Sequence, residues 1–285
     1  MLVCCKFCKS EFIIKYGKDN NKQKYFCKSC KKSFVNPLNL KGMWYDKRMI
    51  NRVLDLFYQG LSLRLIRQHL TDYFSLTPAV STIYNWIVTF SKKAKETIDK
   101  FKVNLSKLWH VDETVIKVKN NNCYNWVILD SNSRFIIASN LTLTRTLDEG
   151  KEVFVKSKQI ANEPPKFIFS DGYGGYPKLV EGVFGDKKQD RQIKQEPYTK
   201  HIKVIQIRDK GCNNNIVERV MGYIKSFYKI RRGFKSLSKA NIIFQGLQVY
   251  YNFLRPHESL EGKTPAEFCN VGLDVRERWL SLISS

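Results

Sequence analysis

Three acidic residues lie where a carboxylate is difficult to explain by packing alone. Asp112 falls in the middle of Leu108–Val118, whose alternation of apolar and polar residues predicts a half-buried β-strand. Asp171 ends a short apolar run before a glycine-rich turn, and Glu218 falls in the first turn of a predicted helix. Burying an unpaired carboxylate is costly, and carboxylate oxygens are the ligands that Mg2+ prefers. The three acids therefore predict a divalent-metal site.

Two of these acids also have an explanation without a metal, and two further acids compete with them. Asp171 could belong to an ordinary turn, and Glu218 could be a favourable charge at a helix N-terminus. Glu113 follows Asp112 directly, so its side chain is expected on the opposite face of the strand and outside the same site. Asp130 is expected to begin a turn.

Cysteines near the start of the chain form a second candidate metal site. The sequence contains two Cys-x2-Cys pairs separated by eighteen residues: Cys5, Cys8, Cys27 and Cys30. This spacing lets two tight turns present four thiolates to Zn2+, and Cys4 is an alternative first ligand. The remaining cysteines are scattered, as expected in a reducing compartment. We therefore predict a zinc ribbon over residues 1–36.

The charge of the chain indicates its class of partner. Lys and Arg outnumber Asp and Glu by 49 to 26, which gives a net charge of +23. Such an excess raises the local concentration of polyanions, so nucleic acid is the leading partner; a basic ribosome-associated protein is the alternative. No run approaches 18 consecutive apolar residues, and no signal peptide is recognisable. We expect a soluble protein of the cytoplasm with no membrane partner.

Residues 46–103 are predicted to form three helices. Asp46 caps the first, Ser62 begins a short second one, and Thr77–Pro78 supplies the N-cap and first residue of a long third helix that continues as a linker. This pattern is compatible with a helix-turn-helix, although any small helical bundle would produce it. In the helix-turn-helix interpretation, residues near the start of the third helix contact DNA. The candidates are Ser81, Thr82, Tyr84 and Asn85.

Residues 104–270 follow the order strand, strand, strand, helix, strand, helix, strand, helix. This is the order of an α/β RNase H-like domain, with a mixed five-stranded sheet and flanking helices. In that topology the first and fourth strands are neighbours, so Asp112 and Asp171 can converge. The helix after the fifth strand can then bring Glu218 to them.

A basic segment follows the helix of Glu218. Arg219–Lys239 contains seven basic residues and no acid. Arg231, Arg232 and Lys235 are expected to contact the DNA backbone leading into the site, where such contacts position DNA without reading its sequence. The alternative is a solvated basic face.

Several motifs resemble those of the DDE transposases of insertion sequences, nearest to the IS-six type. They are W-H-V-D-E-T, F-S-D-G-Y-G-G-Y-P, N-N-I-V-E-R-V-M-G-Y-I-K and R-R-G-F-K-S, within residues 100–255. The resemblance implies a retroviral-integrase-like fold, Mg2+ or Mn2+ as cofactor, and Asp112, Asp171 and Glu218 as catalytic triad. Lys225 matches the lysine that follows the glutamate by seven residues in that family. It would hold a phosphate near the metals.

The sequence departs from the family pattern in one place. Between Asp171 and Glu218 there are 46 residues, more than is usual in the family. We interpret the polar stretch Gly185–Lys200 as an inserted loop before a fifth strand at His201–Ile207. The motif Y-N-x-x-R-P-H-x-S-L-x-G-x-T-P-A-E, at Tyr251–Glu267, also resembles related transposases and integrases, and we interpret it as structural closure of the domain.

The sequence therefore predicts a DNA transposase, with a zinc ribbon and a helix-turn-helix before its RNase H-like domain and a C-terminal tail at 271–285. Expected partners are double-stranded DNA, as element ends and target, and further copies of the chain in a homodimer or larger synaptic complex. A prokaryotic cytoplasm, at the nucleoid, fits this family. Two alternatives remain: a nuclease of the same fold that joins no strands, and a catalytically inert, domesticated DNA-binding regulator.

Overall fold

The computed structural model describes residues 5, 7–8, 10–19, 22–35, 45–74, 77–185, 199–204, 215–272 and 275–283. The chain divides into two compact units, one up to Val53 and one that begins at Leu54 and extends to Ile283. The domain limits expected at residues 36, 46, 103 and 270 stay predictions. Within the described ranges, no helix is long and apolar enough to cross a membrane.

The first unit contains a small antiparallel sheet. Its strands, paired in the order β1-β2-β3, are β1 (Ile13–Asp19), β2 (Lys22–Cys27) and β3 (Ser33–Val35). Phe34 is buried together with Cys5 and Cys27, and Ile13 and Tyr25 pack against this core. Because so few apolar side chains are buried, a bound metal is expected to supply much of the folding free energy. This arrangement fits the predicted zinc ribbon.

Three helices follow: α1 (Lys47–Tyr58), α2 (Leu63–Phe74) and α3 (Val80–Ile98). Two expectations for this region are wrong. Helix α2 has 12 residues, as many as α1, so it is not a short helix. The N-cap of α3 is Ala79, whose backbone is extended with φ −61° and ψ 147°. Thr77 and Pro78 therefore lie before the helix.

Helix α3 lies entirely within the second unit. It packs against α7 (Leu237–Val249) and α9 (Trp279–Ile283). Ser91 in the middle of α3 is fully buried, with its hydroxyl 2.6 Å from the hydroxyl of Tyr58. The second half of α3 is therefore a core element and does not act as a free linker.

A five-stranded mixed sheet forms the centre of the second unit. Its strands are β4 (Leu108–Val118), β5 (Asn121–Asp130), β6 (Ile136–Thr142), β7 (Phe167–Ser170) and β8 (Lys200–Lys203). Their order is β6-β5-β4-β7-β8, with β4–β5 and β5–β6 antiparallel and β4–β7 and β7–β8 parallel. The predicted fold, with its first and fourth strands as neighbours, is confirmed. The expected inserted loop and residues 205–207 of the expected fifth strand lie largely outside the described residues.

Helices flank this sheet. They are α4 (Leu147–Ile160), α5 (Tyr176–Phe184), α6 (Asn215–Arg231) and α7. Helix α4 packs against β5 and β6, α5 against β8, α6 against β4 and α7 against β6. The sheet thus presents β4, its central strand, to the helix that carries Glu218.

The end of α7 covers the edge strand β6. After Val249 the helix continues as a π-helical turn, Tyr250–Leu254. The amide of Asn252 accepts the N–H of Ile136 and donates to its carbonyl, both at 2.9 Å, and Gln248 donates to the same carbonyl at 2.8 Å. These contacts agree with the interpretation of the Tyr251–Glu267 motif as closure of the domain.

The last described residues are also part of the core. Helix α8 (Pro265–Phe268) is followed by α9, whose Trp279 is fully buried and stacks on Tyr58 at 5.0 Å. Arg278 forms an ion pair of 2.8 Å with the buried Asp55. The apolar side chains of α9 therefore complete the core of the second unit, and the C-terminal tail expected at residues 271–285 stays a prediction.

Candidate active site and zinc centre

The structure brings Asp112 and Asp171 together on neighbouring strands. Strands β4 and β7 are parallel, and their register pairs Val111 with Ser170. Asp112 and Asp171 are the next residues after this pair. The two carboxylates therefore come side by side from different parts of the sequence.

Helix α6 adds Glu218 and Lys225 to this pair. Glu218 lies in the first turn of α6, which packs against β4. Burial and the charge of Asp171 raise the pKa of Asp112 to about 7; Glu218 adds to this rise, and Lys225 counteracts it. These electrostatic contacts unite the four side chains in what we call the acid site. Their individual roles stay a prediction.

The acid site has an open geometry. Across the described ranges, the only set of three or more metal-ligating side chains with all ligand atoms within 4.8 Å of one another is formed by cysteines. Asp112 and Asp171 are half-buried, and Glu218 is exposed. A divalent cation would relieve the repulsion that raises the pKa of Asp112, and two ions about 4 Å apart need ligands spread in this way. The donor set therefore fits Mg2+ or Mn2+.

The two competing acids have structural partners. Glu113 forms an ion pair with Arg145 and accepts a hydrogen bond from the hydroxyl of Tyr176. Asp130 accepts the N–H of Ser106 at 2.7 Å, and the N–H and hydroxyl of Ser133 at 2.8 and 2.7 Å. Glu113 thus contacts α5 whereas Asp112 faces α6, as expected for adjacent strand residues. Asp130 starts a turn, as predicted.

The family of the chain follows from a match that covers its acid-bearing strands. A model described as the DDE domain, of the transposase type IS240, matches residues 106–257, which is more than half of the chain. The chain belongs to the DDE transposase family. Both acidic strands and Glu218 lie within the matched residues of this DDE domain.

Solved structures and curated proteins give weaker comparisons. The catalytic core domain of HTLV-2 integrase, in complex with magnesium in a dimeric form, is 19% identical with a TM-score of 0.40, covering 59% of this chain and 97% of that one. A simian T-cell lymphotropic virus intasome in complex with the PP2A regulatory subunit B56 gamma is 17% identical with a TM-score of 0.41, covering 59% and 58%. No curated protein matches the chain.

A network that the sequence did not predict supports the turn after Asp171 in the DDE domain. The backbone N–H of Tyr173 donates to Asp171 Oδ1 at 3.1 Å. The hydroxyl of Tyr173 donates to the backbone carbonyl of Arg145 at 2.8 Å. The Arg145 guanidinium lies 3.9 Å from the centre of the Tyr173 ring and pairs with Glu113. Gly175 packs closely beside this ring: a Cβ there would lie 2.5 Å from it, so a larger residue would displace the Tyr173 side chain. Arg145 therefore links the acid-bearing strand to the turn of its partner acid.

Replacing Arg145 with Lys is expected to lower metal-dependent DNA cleavage by roughly 10- to 100-fold, the usual cost of losing support for a metal ligand. Lysine keeps the charge but cannot stack on Tyr173 in the same way. We expect the Mg2+ concentration for half-maximal rate to rise, because Asp171 is held less firmly. Cleavage rates measured over a Mg2+ series, with Lys151→Arg on the exposed face of α4 as control, test this. An unchanged Mg2+ requirement would contradict it.

Lys225 and Glu218 lie on one exposed face of α6. Gly222, between them, is exposed, and a Cβ at this position would meet no protein atom. The space above Gly222 is therefore open to a substrate, and Lys225 lies beside it.

Arg231 was predicted to contact DNA, but its guanidinium is used inside the protein. It donates to the carbonyls of Phe57, Gly60 and Leu61, the last at 2.9 Å. It also lies 4.0 Å from the ring centre of Phe57 and 4.3 Å from that of Phe227. Burial lowers the pKa of Arg231 to about 10. The prediction for Arg231 is wrong for this reason.

Arg232 and Lys235 are exposed, and their predicted DNA contacts remain predictions.

The four candidates on α3 do not share one environment. Ser81 and Asn85 are exposed and lie one helical turn apart, whereas Thr82 and Tyr84 are half-buried. The ring of Tyr84 lies 5.7 Å from Lys239 Nζ, which belongs to α7. Ser81 and Asn85 are therefore the candidates best exposed for reading DNA, and the helix-turn-helix itself remains a prediction.

The four predicted cysteines converge in the first unit. Their sulfur atoms all lie within 4.8 Å of one another; Cys5 and Cys30 are 3.5 Å apart, and Cys8 and Cys27 are 3.6 Å apart. Tetrahedral Zn–S bonds of about 2.3 Å place sulfur atoms about 3.8 Å apart, close to these values. The N–H of Cys30 donates to Cys27 and lowers the pKa of that thiol to about 6, which favours the thiolate. The cluster fits Zn2+. Cys4 lies outside the described residues.

Removing zinc with a chelator is expected to unfold β1–β3 and to leave the five-stranded sheet folded, because the small sheet has little core of its own. Hydrogen exchange of residues 13–35, compared with 108–142, measures both effects in one sample. Cys8→Ser should have the same effect, whereas Cys123→Ala, a cysteine outside the cluster, should not. Unchanged protection of residues 13–35 after chelation would show that the metal is not structural.

Proposed function

We propose that this protein is a DNA transposase that cuts DNA at element ends and joins the released ends to a target. The observation that carries the proposal is the acid site, in which the charges of Asp171, Glu218 and Lys225 all act on the carboxyl group of Asp112 within a DDE domain. The net charge of +23 supports a polyanionic substrate. The proposed setting is the nucleoid of a prokaryotic cytoplasm.

In this proposal the three carboxylates hold the metal ions, and Lys225 binds a phosphate at the open space above Gly222. When bound, two divalent cations would favour the attacking oxygen and the leaving oxygen of an in-line displacement. Water attacks the scissile phosphorus, the bond to the 3′-oxygen breaks, and that oxygen takes up a proton. The resulting 3′-hydroxyl attacks a phosphorus of the target, whose own 3′-oxygen leaves with the proton.

Recognition of element ends is assigned to the first unit and to α3. The exposed Ser81 and Asn85, one helical turn apart, could both reach base edges from a helix in the major groove. Arg232 and Lys235 are exposed cations at the end of α6 and are suited to backbone phosphates. Two element ends must meet before joining, so the proposal includes a homodimer or a larger synaptic complex.

Two rival functions make different predictions. A nuclease with the same acid site would cleave DNA but would not join the product to a second DNA. A catalytically inert DNA-binding regulator would do neither, and the complete set of three acids beside Lys225 disfavours it.

Strand transfer with the purified full chain tests the proposal. Labelled terminal DNA of the element is incubated with Mg2+ and a supercoiled target plasmid, using wild type and the matched variants Asp112→Asn and Asp148→Asn. Joined product with wild type and Asp148→Asn, but not with Asp112→Asn, is the expected result. Cleavage without joining would favour the nuclease, and binding without reaction would overturn the enzyme assignment.

A further inference from the structure

A large basic cavity lies between α2–α3 and the turn that joins α6 to α7. Its volume is about 1110 Å3, and five exposed cations line it: Arg64, Lys229, Arg232, Lys235 and Lys239. No acidic residue is among the described residues that line it. Its apolar surface includes Tyr84 and Phe234, together with Ile230, which is 48% exposed. We call this feature the basic cavity.

The walls of the basic cavity are fixed by contacts on both sides. Arg231 links the end of α6 to the carbonyls of the turn between α1 and α2. The carbonyl of Phe234 accepts the N–H of Lys119, at the end of β4, at 2.7 Å. Between them, Gly233 has a φ of +104°, which glycine adopts readily. The cavity is therefore preformed, which lowers the entropic cost of binding a ligand there.

A row of side chains connects the basic cavity to the acid site. Glu218, Gly222, Lys225 and Lys229 are all exposed and recur at three- and four-residue steps along one face of α6. With a rise of about 1.5 Å per residue, Lys229 lies about 16 Å along the helix from Glu218. A polyanion held by Lys225 can therefore continue along the same face to Lys229.

We propose that the basic cavity binds an unpaired single strand of DNA that extends from the acid site. This inference rests on the proposed function, and it adds a site and a strand preference to it. The five cations would contact phosphates, and unstacked bases would lie on the half-buried ring of Tyr84 and on the exposed side chain of Ile230. Paired bases expose only their edges in a groove, whereas an unpaired strand offers its base faces to aromatic side chains. Along α6 the strand would remain stacked and would unstack only inside the cavity; at about 3.4 Å per stacked nucleotide, about five nucleotides span the distance from Glu218 to Lys229.

Binding of DNA with single-stranded extensions tests this directly. Fluorescent duplexes with thymidine extensions of 0 to 10 nucleotides are titrated with the full chain. Affinity is expected to rise with extension length, most steeply near five nucleotides, and then to level off. Lys239→Glu and Arg64→Glu should each remove most of the affinity gained from the extension. Each should also lower the slope of log affinity against log salt concentration by about the amount of one phosphate contact. Tyr84→Leu should reduce the gain fivefold or more at an unchanged salt dependence.

Controls separate this site from general charge and from the catalytic proposal. Lys151→Glu and Lys156→Glu, on the exposed face of α4, remove equal charge outside the cavity and should retain the gain. The titrations are made without Mg2+, so that no reaction takes place and a failure of the catalytic proposal would leave this result intact. Equal affinity for blunt and extended DNA would overturn the inference. Competition by polyglutamate as strong as that by oligothymidine of equal charge would also overturn it and would indicate an acidic protein segment instead.

Discussion

Asp112→Asn is expected to reduce metal-dependent cleavage and joining about 1000-fold and, at the same time, to stabilise the protein without added Mg2+ at pH 8. A metal ion contributes several kcal/mol of transition-state stabilisation, and about 4 kcal/mol corresponds to 1000-fold in rate. The stability gain follows because burial and the repulsion of Asp171 disfavour the charged form of Asp112. Asparagine keeps the size of the side chain and removes that charge.

The pH dependence of this gain has a definite sign. The pKa of Asp112 is raised from 3.8 to about 7, so between these values the folded protein holds a proton that the unfolded chain has lost. The free energy of unfolding of the wild type therefore falls as pH rises through this window. That of the asparagine variant does not fall for this reason, because asparagine carries no titrating group. When solvent screening is taken into account, we expect Asp112→Asn to be more stable than the wild type by roughly 1–2 kcal/mol at pH 8, or roughly 2–8 °C in Tm. At pH 4 we expect almost no difference.

Thermal unfolding at pH 4, 6 and 8, with and without Mg2+, measures this effect. Added Mg2+ should raise the Tm of the wild type and leave that of Asp112→Asn unchanged, because the variant lacks a ligand. Asp148→Asn, an exposed acid on α4, serves as the matched control. If Asp112→Asn were no more stable than the wild type at pH 8, the charge of Asp112 would not destabilise the folded protein as described above.

Arg231→Met and Arg232→Met, two adjacent substitutions, are expected to have opposite consequences. Arg231→Met should destabilise the second unit by about 3 kcal/mol or more. Methionine retains apolar contact with Phe57 and Phe227, but the carbonyls of Gly60 and Leu61 lose their donor, and each unsatisfied buried group costs about 1–3 kcal/mol. Arg232→Met changes an exposed side chain, so its stability should shift by less than about 0.5 kcal/mol.

Urea unfolding and DNA binding together separate the two arginines. We expect Arg231→Met to lower the unfolding midpoint while the folded fraction binds DNA with its usual salt dependence. Arg232→Met should keep the midpoint and weaken DNA binding, with one phosphate contact fewer in its salt dependence. Equal midpoints for the two variants would show that Arg231 is not the structural residue described above.

The sequence predicted those parts of the structure that depend on local pattern. Alternation along β4 placed Asp112 and Glu113 on opposite faces, and the order of strands and helices predicted the position of β4 beside β7. The spacing of Cys5, Cys8, Cys27 and Cys30 predicted their convergence, because two tight turns need no other information. These predictions depend on periods and spacings that each segment carries by itself.

Long-range contacts to the backbone escaped sequence analysis. Arg231 and Arg232 look alike in the sequence, but only Arg231 meets the carbonyls of the turn between α1 and α2, about 170 residues earlier in the chain. A backbone carbonyl leaves no mark in the sequence, so its partner cannot be inferred. Arg145 was missed for a different reason, because its guanidinium contacts the side chains of Tyr173 and Glu113, which are distant from it in sequence.

The side-chain amides of α7 and of the π-helical turn after it also restrict which edge of the sheet a second copy could join. An edge strand with free N–H and C=O groups is a template for another strand, and proteins that leave one open risk fibre-like aggregation. On β6 the groups of Ile136 are occupied by Asn252 and Gln248, and Asn241 accepts the N–H of Leu141 at 3.1 Å. While α7 stays in place, a second copy cannot extend the sheet at this edge. Any self-association of this protein would therefore have to use surfaces other than this edge of the sheet.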